Sequence, residues 1–331
     1  MPNSSQTPDL RSQPVHRRAS RLAAILAGGG ALVWAALTPR TPEASPAPAS
    51  VPTPVRTLEV VATEFALQAP DTVTAGRVRL RLTNHGRELH ILEVVRLADG
   101  HTTEELAAIL AARKPAPAWA TFVGGPIAPP KGAPAGGGAS DAPTSSLDVT
   151  VDLEPGRYAL ICPIPSPDDH RPHMVKGMVR TLVVVPASPS GAALPSVEEH
   201  EEDPIIVGRD AGGASAARVV LDDYGFLLQP EWQAGRHEIR VVNRAAQPHE
   251  MVVFKLDAGK RVADVVSWAA SLTGPPPGTL VAGTTALGRG RAATIDLTLT
   301  PGAYALLCFA PDAKDGRSHV QHGMTREVTV E

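Results

Sequence analysis

The 331-residue chain has few aromatic residues, only two cysteines and no marked excess of charge. Phe, Trp and Tyr make up 4% of it, which argues against an aromatic cage or a platform that stacks nucleic-acid bases. The net charge is −3 and no basic patch is visible, so nucleic acid is not expected as a partner. The sequence also contains no nucleophile–base triad, and none of its glycine-rich stretches follows a strand as a phosphate-binding loop would.

Charged residues are scarce as well, at 20% of the chain, whereas there are 33 prolines and 29 glycines. This composition indicates many turns and few long helices, which favours an all-β fold. The chain is long enough for two domains of ordinary size together with a targeting segment and linkers.

The N-terminal segment resembles an export signal. Arg17, Arg18 and Arg21 precede an apolar run from Leu22 to Leu37, which is short for a membrane span but typical of a signal peptide. Residues 1–37 are therefore predicted to be a signal peptide or an uncleaved anchor, and no cysteine follows that would carry a lipid. Either form places the rest of the chain outside the cytoplasm, in the periplasm, secreted, or held at the outer face of the cytoplasmic membrane. Membrane contact is expected only through this segment.

An internal repeat organises the remainder of the chain. The segment PGRYALICPIPSPDDHRPHMVKGM (155–178) aligns without gaps with PGAYALLCFAPDAKDGRSHVQHGM (301–324), and 12 of 24 positions are identical. Upstream, Asn84 precedes His90 by six residues, and Asn243 precedes His249 by the same interval. The first copy is longer by 13 residues between its histidine and its cysteine, and the Pro/Gly stretch 126–143 is the expected place of this insertion.

The repeat predicts two tandem Greek-key β-sandwich domains, each with one short helix. Residues 38–56 are predicted to be a Pro/Ala-rich linker, 57–186 the first domain, 187–217 a second linker and 218–331 the second domain. In the first domain, strands are predicted at 57–66, 77–84, 89–96, 147–153, 156–162 and 179–185. A helix is predicted at 102–113, and its counterpart in the second domain lies near 261–272.

Four residue types recur at equivalent positions and suggest a metal site. A thiolate, two imidazoles and a weakly held thioether form the kind of mononuclear site that suits copper in both oxidation states. One copper ion per domain is therefore predicted. The candidate ligands are His90, Cys162, His173 and Met178 in the first domain, and His249, Cys308, His319 and Met324 in the second.

The same segments resemble the plastocyanin-like cupredoxin family. NRAAQPHEMVVF (243–254), PGAYALLC (301–308) and the spacing from His319 to Met324 follow the pattern of that family, and the resemblance covers about 120 residues of each copy. It implies electron transfer through mononuclear copper. Two features depart from the family pattern: ten residues separate each cysteine from the next histidine, and Ile91 and Glu250 stand where the family often has an asparagine that braces the cysteine loop.

Simpler interpretations of the two cysteines remain open. A disulfide is normal in an exported protein, but these cysteines occupy the same position in two separate domains, and disulfide geometry is restrictive. A buried, inert thiol is the stronger alternative, because free cysteine packs well as a small apolar residue.

The sequence is compatible with three functions. The first is a copper-binding electron carrier with a redox protein as partner, or a protein that stores or delivers copper. The second is a metal-free module that has kept the fold for an interaction. The third is an enzyme of the multicopper oxidase or nitrite reductase type, which is disfavoured because the chain has no His-x-His pair and no histidine beside Cys162 or Cys308.

Overall fold

A computed structural model describes residues 55–130, 146–187 and 217–331. The predicted signal or anchor, nearly all of both linkers and most of the 126–143 insertion lie outside the described residues. Within these ranges the chain is mostly β-strand with three short α-helices, which confirms the predicted all-β class. No helix of the described part is long and apolar enough to cross a membrane.

The first half consists of two packed sheets, with strand orders β2-β1-β4-β9 and β3-β11-β10-β6-β7, and β5 pairs separately with β8. Strand β1 runs parallel to β4, and β9 runs antiparallel to β4. The elements are β1 (Arg56–Thr63), β2 (Ala66–Gln68), β3 (Thr72–Thr74), β4 (Gly76–Asn84), β5 (His90–Ile91), β6 (Glu93–Leu97), α1 (Thr103–Ala111), β7 (Ala120–Phe122), β8 (Ile127–Ala128), β9 (Ser146–Leu153), β10 (Gly156–Ile161), α2 (His173–Lys176) and β11 (Val179–Val185).

The second half repeats this arrangement with sheets ordered β13-β12-β14-β17 and β16-β15-β18-β19. Its elements are β12 (Ala217–Asp222), β13 (Gly225–Gln229), β14 (Gly235–Asn243), β15 (His249–Leu256), α3 (Val262–Ala269), β16 (Gly278–Leu287), β17 (Ala292–Leu299), β18 (Gly302–Leu307), a 3₁₀ helix (His319–His322) and β19 (Thr325–Val330).

Alternating apolar residues build the core between the sheets. In β1, Leu58, Val60 and Ala62 are buried, and the residues between them are exposed or partly exposed. This alternation is expected for a strand with one face on the core. Tyr158 and Tyr304 are also buried, and each satisfies its hydroxyl by donating to a backbone carbonyl four residues earlier, at 2.8 Å. Both tyrosines therefore act as packing residues of the core.

Helices α1 and α3 agree with the sequence predictions, and two single-turn helices are additional. Helix α1 begins after Thr102, whose hydroxyl accepts a hydrogen bond from the Glu105 amide at 3.1 Å, an ordinary N-terminal cap. The repeat predicts one helix in each half. The structure adds α2 and the 3₁₀ helix, each a single turn that begins at a candidate ligand histidine.

The two halves share a continuous sheet. Strand β9 pairs with β17 at Val151–Ala293 and Thr150–Thr294, which joins the two four-stranded sheets into one of eight strands. A second contact brings the β7–β8 connection against β16, where Gly125 accepts a backbone hydrogen bond at 2.8 Å. A Cβ atom at position 125 would lie 1.9 Å from the carbonyl oxygen of Leu92 in the same half, so only glycine fits at this position.

A buried carboxyl group lies in the contact between the halves. Glu93 of β6 is 4% exposed, and it accepts hydrogen bonds from the Thr285 hydroxyl at 3.1 Å and the Ala286 amide at 3.3 Å. Burial raises its pKa well above the usual range, and the nearby Glu250 of the second half raises it further. The contact therefore joins β6, which follows the candidate ligand His90, to β16, which pairs with the strand that begins at the candidate ligand His249.

Candidate metal centres

The first centre forms at one end of the first sandwich. His90 begins β5, Cys162 follows β10 and His173 begins α2. All three side chains are fully buried. The Nδ1 atoms of the two histidines are 3.1 Å apart, and the Cys162 Sγ lies 3.4 Å from Nδ1 of His173. Two imidazole nitrogens and one sulfur therefore face a common point.

The second centre has the same construction. His249 begins β15, Cys308 follows β18 and His319 begins the 3₁₀ helix. The Cys308 Sγ lies 3.8 Å from Nδ1 of His249 and 3.3 Å from Nδ1 of His319, and all three side chains are fully buried. As in the first half, Nδ1 is the ring nitrogen that faces the site.

The two methionines are tied to these residues through the backbone. Met178 is fully buried, its amide donates to the carbonyl of His173 at 3.0 Å, and its carbonyl accepts from the amide of Cys162 at 3.1 Å. Met324 repeats both bonds, with His319 at 2.9 Å and Cys308 at 3.3 Å. The structure thus brings the candidate Cys, His and Met of each late loop together, and the role of the thioethers as ligands stays a prediction.

The ten residues between cysteine and histidine form a small hairpin. In the first half, the Ser166 amide donates to Arg171 at 3.0 Å, and the His173 amide donates to Ile164 at 2.9 Å. The second half closes its loop in the same way, with Asp312 bonded to Arg317 at 2.8 Å. The extra residues project away from the site, and the histidine returns beside the cysteine. The departure in spacing from the cupredoxin pattern therefore does not separate the candidate ligands.

A buried asparagine shapes the turn before the first histidine. Asn84 is fully buried, its amide group donates to the carbonyls of Glu88, Ala128 and Pro129 at 2.8, 3.2 and 3.0 Å, and its side-chain oxygen accepts from the Gly86 amide at 2.7 Å. Asn243 makes the corresponding bonds in the second half. One side chain thus satisfies four backbone groups and fixes the approach to His90.

The Asn84→Ala variant is expected to destabilise the metal-free protein by about 2 kcal/mol, because it leaves buried backbone groups without partners. Urea denaturation measures this loss. Arg87→Ala in the same turn is the control, since Arg87 is exposed and surface changes of this kind shift stability by less than about 0.5 kcal/mol. Equal effects of the two substitutions would contradict the bracing role of Asn84.

Burial sets the protonation states of both centres in the absence of metal. It raises the pKa of Cys162 to about 12, and it also raises the pKa of Cys308. Burial lowers the pKa of His90 to about 4 and that of His319 to about 4. The pKa values of His173 and His249 are also lowered, again mainly by burial. At neutral pH each centre therefore holds a protonated thiol and two uncharged imidazoles.

Copper loading at neutral pH is expected to release about one proton per centre, because only the thiol must lose a proton to bind a metal ion. Titration of the metal-free protein with copper in weakly buffered solution, followed with a pH indicator, measures the release. The Cys162→Ala variant should release one proton fewer per chain. Release of two or three protons per centre would show that the histidines carry protons, contrary to their burial.

Carboxylates lie behind all four histidines. Glu88 Oε2 lies 2.8 Å from Nε2 of His173, and Glu64 lies 3.9 Å from Nε2 of His90. In the second half, Asp223 lies 3.7 Å from Nε2 of His249, and Asp312 lies 3.8 Å from Nε2 of His319. Only Glu88 is within hydrogen-bonding distance of its histidine, and a carboxylate that accepts from the ring in this way orients a metal-bound histidine and increases its basicity.

Sequence reasoning did not identify these carboxylates, although one signal was present. An acidic residue followed by an aromatic one occurs at the end of the first strand of both copies, as Glu64-Phe65 and as Asp223-Tyr224. The aromatic residues pack on the second histidines, with ring centroids 5.1 Å apart for Phe65 and His173. The correspondence between Glu64-Phe65 and Asp223-Tyr224 becomes evident only when the three-dimensional structures of the two hairpins are compared.

The absence of an asparagine after the first histidine has a different consequence in each half. In the second half, Glu250 accepts a hydrogen bond from the Phe309 amide at 2.6 Å and so braces the cysteine loop. In the first half, Ile91 contributes only its amide, which donates to the Cys162 sulfur at 3.4 Å. The Glu250 amide makes the same bond to Cys308 at 3.4 Å, so the sulfur receives one backbone donor in both centres.

One further cluster lies beside the second centre. Asp312, Asp315 and His322 place potential ligand atoms within 4.8 Å of one another, and His322 Nε2 lies 3.2 Å from Asp315. In the first half the equivalent contact is a salt bridge of 2.9 Å between Lys176 and Asp169. We interpret the His322–Asp315 contact as a hydrogen bond that closes the loop, since a lysine takes the same place.

The donor set of each centre fits copper. Ligands at bond lengths of about 2 Å around a trigonal ion lie about 3.5 Å apart. In each centre two of the donor–donor distances are between 3.1 and 3.8 Å, and all donor atoms lie within 4.8 Å of one another. Soft sulfur combined with imidazole suits copper. Each half is therefore a two-sheet sandwich with a His–Cys–His set at one end and a methionine closing the loop. Both halves have the arrangement that the resemblance to cupredoxins predicts.

The chain is similar to solved structures of copper proteins, whereas no protein-family model and no curated protein sequence matches it. An auracyanin from Roseiflexus castenholzii is 27% identical, with a TM-score of 0.27, and the match covers 34% of this chain and 94% of that one. Auracyanin A from Chloroflexus aurantiacus is 19% identical, with a TM-score of 0.26, over 39% of this chain and 97% of that one.

A longer match extends over both halves of the chain. The Cu-containing nitrite reductase from Thermus scotoductus SA-01 is 12% identical, with a TM-score of 0.20, and the match covers 83% of this chain and 61% of that one.

Proposed function

We propose that the chain is an extracytoplasmic protein that carries electrons to or from a redox partner through two mononuclear copper centres. The observation that carries the proposal is the convergence of two Nδ1 atoms and one sulfur in each half, with every donor side chain fully buried. Because the donors are held by strand ends and short hairpins, a bound ion would change oxidation state with little rearrangement.

Each centre has the residues to hold copper without help from the other. In the first half the ligands are His90, Cys162 and His173, with Met178 as the weak fourth ligand. In the second half they are His249, Cys308, His319 and Met324. Copper, when bound, supplies the one-electron chemistry. The protein excludes water from the donors, and Glu88 holds the ring of His173 by a hydrogen bond.

The contact between the halves connects segments that carry candidate ligands of both centres. The Cys162 sulfur accepts from the Ile91 amide at 3.4 Å, and the carbonyl of the following residue, Leu92, accepts from the Thr285 hydroxyl at 3.4 Å. Thr285 lies in β16, which pairs with the strand that begins at His249. This connection supports a function in which the two centres exchange electrons.

The proposal is favoured over an enzymatic role by the ligands present. Within the part of the chain that the structure describes, the groups of three potential ligands are the two centres and the Asp312–Asp315–His322 cluster, and none combines three histidines. The residues beside Cys162 and Cys308 are likewise not histidines. An extracytoplasmic position is supported by the apolar N-terminal segment, and cell fractionation tests it.

Copper analysis combined with visible absorption tests the proposal. The purified chain is expected to bind two copper ions, to show strong thiolate-to-Cu(II) absorption, and to accept and return one electron per ion in a redox titration. A chain that retains no copper would instead be a metal-free module. Binding of Cu(I) without reversible oxidation would indicate storage or delivery, and oxidation of phenols or reduction of nitrite would indicate an enzyme.

A further inference from the structure

The second histidine of the first centre is held by a direct hydrogen bond. Glu88 Oε2 lies 2.8 Å from Nε2 of His173, and the other carboxylate oxygen accepts from the Ser166 hydroxyl at 2.9 Å. Glu88 is only partly exposed and His173 is fully buried. Both oxygens of the carboxylate are thus used, and the ring has one defined acceptor behind it.

In the second half, the acidic residue and the uncharged polar residue of this pair have changed places. Gln247 occupies the place of Glu88, two residues before the first ligand histidine, and Asp312 occupies the place of Ser166, four residues after the cysteine. The carboxylate therefore comes from the cysteine loop instead of the histidine turn. The two residues still contact each other, because the Gln247 amide donates to Asp312 at 3.0 Å.

This exchange leaves Nε2 of the second histidine of the second centre without a hydrogen-bond partner. Asp312 accepts from the Tyr224 hydroxyl, from Gln247 and from the amide of Lys314. Its nearest oxygen lies 3.8 Å from Nε2 of His319, beyond hydrogen-bonding distance. Nε2 of His319 is buried and has no hydrogen-bond partner within the described residues.

A carboxylate that accepts from Nε2–H has two effects on the opposite nitrogen. It fixes the proton on Nε2, which leaves the lone pair of Nδ1 free to face the metal, and it increases the electron donation of the ring. Greater donation favours the oxidised, more highly charged ion. In this chain the first centre has this arrangement and the second does not.

We propose that Glu88 is a positioning residue that fixes the tautomer of His173 and lowers the reduction potential of the first centre, and that His319 of the second centre lacks such a residue. The inference rests on the proposed function, since it concerns the same centres. It makes the two copper sites inequivalent, although their ligands are the same.

The first test uses the metal-free protein. Nitrogen-15 NMR of the wild-type chain should show His173 as a single tautomer with the proton on Nε2, and His319 as a mixture of tautomers. In the Glu88→Gln variant, His173 should become a mixture as well. A single tautomer for both histidines of the wild-type chain, or an unchanged His173 in the variant, would overturn the proposal.

The second test measures the potential of the first centre alone, in a copper-loaded chain that carries Cys308→Ala. Glu88→Gln should lower the preference for Cu(II) over Cu(I) about tenfold, which corresponds to a rise of about 59 mV for one electron. Ser166→Ala is the matched control, because it removes the other hydrogen bond of Glu88 and keeps its charge, and it should change the potential less. An unchanged potential in Glu88→Gln would overturn the proposal.

The reciprocal change is made in the second half, in a chain that carries Cys162→Ala. Gln247→Glu combined with Asp312→Ser recreates the arrangement of the first half, and it should fix the tautomer of His319 and lower the potential of the second centre. Failure to bind copper would refute the proposed function, whereas the tautomers of the metal-free chain would still decide the role of Glu88.

Discussion

Replacing Cys162 with alanine is expected to remove one of the two bound copper ions and the visible absorption that belongs to it. The sulfur is the one anionic ligand among the first-half donors, and it lies 3.4 Å from Nδ1 of His173 in a fully buried site. Cys308→Ala should remove the other ion, and the double variant should bind none at these centres. Copper content and visible spectra of the three variants measure the effect.

A methionine in the same loop provides the control for this experiment. Met174 is buried beside Cys162 but precedes the position of the candidate ligand Met178. Met174→Leu should leave both copper ions and the absorption in place, whereas Met178→Leu should keep the thiolate absorption and change the potential, because the weak axial ligand tunes it. Retention of the absorption in the double cysteine variant would show that neither sulfur binds copper.

Glu250→Gln is expected to stabilise the metal-free protein by about 3 kcal/mol above neutral pH. Burial raises the pKa of Glu250 from 4.5 to about 7. Between these two values the folded chain keeps a proton that the unfolded chain has released, so stability falls as pH rises through this window. Each pKa unit corresponds to about 1.4 kcal/mol of stability. Glutamine cannot ionise, so the variant does not lose this stability, and its side chain still accepts a hydrogen bond from the Phe309 amide.

Urea denaturation of the metal-free wild type and variant, at about pH 4.5 and about pH 8, measures this difference. The two proteins should be nearly equal in stability at the lower pH and differ most at the higher one. The buried histidines titrate in both proteins, so their contribution cancels in the comparison. Glu104→Gln, at an exposed position of α1, should follow the wild type. A difference that is independent of pH would contradict the burial of an ionisable Glu250.

The repeat explains why the sequence predicted the ligand sets. His90 and His249 occupy one repeat position, and Cys162 and Cys308 occupy another. A surface histidine is not expected to recur in this way, and the recurrence of histidine together with cysteine at matching positions favours a shared site in each half. The alternation of apolar residues in strands such as β1 and the cap at Thr102 likewise depend on neighbouring residues, and such local patterns are visible in a sequence.

The features that the sequence did not predict depend on contacts between distant segments. Glu64 approaches His90, and Glu88 bonds to His173 across 85 residues. The hairpin between cysteine and histidine is held by backbone hydrogen bonds, which do not depend on the residue types and so cannot be predicted from them. The pairing of β9 with β17 uses two strands whose composition is typical of any half-buried strand, so the union of the halves could not be inferred.

The most direct test of the two centres is the position of copper in crystals of the copper-loaded chain, located by anomalous scattering at the copper absorption edge. Two peaks are expected. One lies among Nδ1 of His90, Nδ1 of His173 and the sulfur of Cys162, and the other lies among the equivalent atoms of His249, His319 and Cys308. Copper bound only at the Asp312–Asp315–His322 cluster, or absent from both sulfur sites, would contradict it.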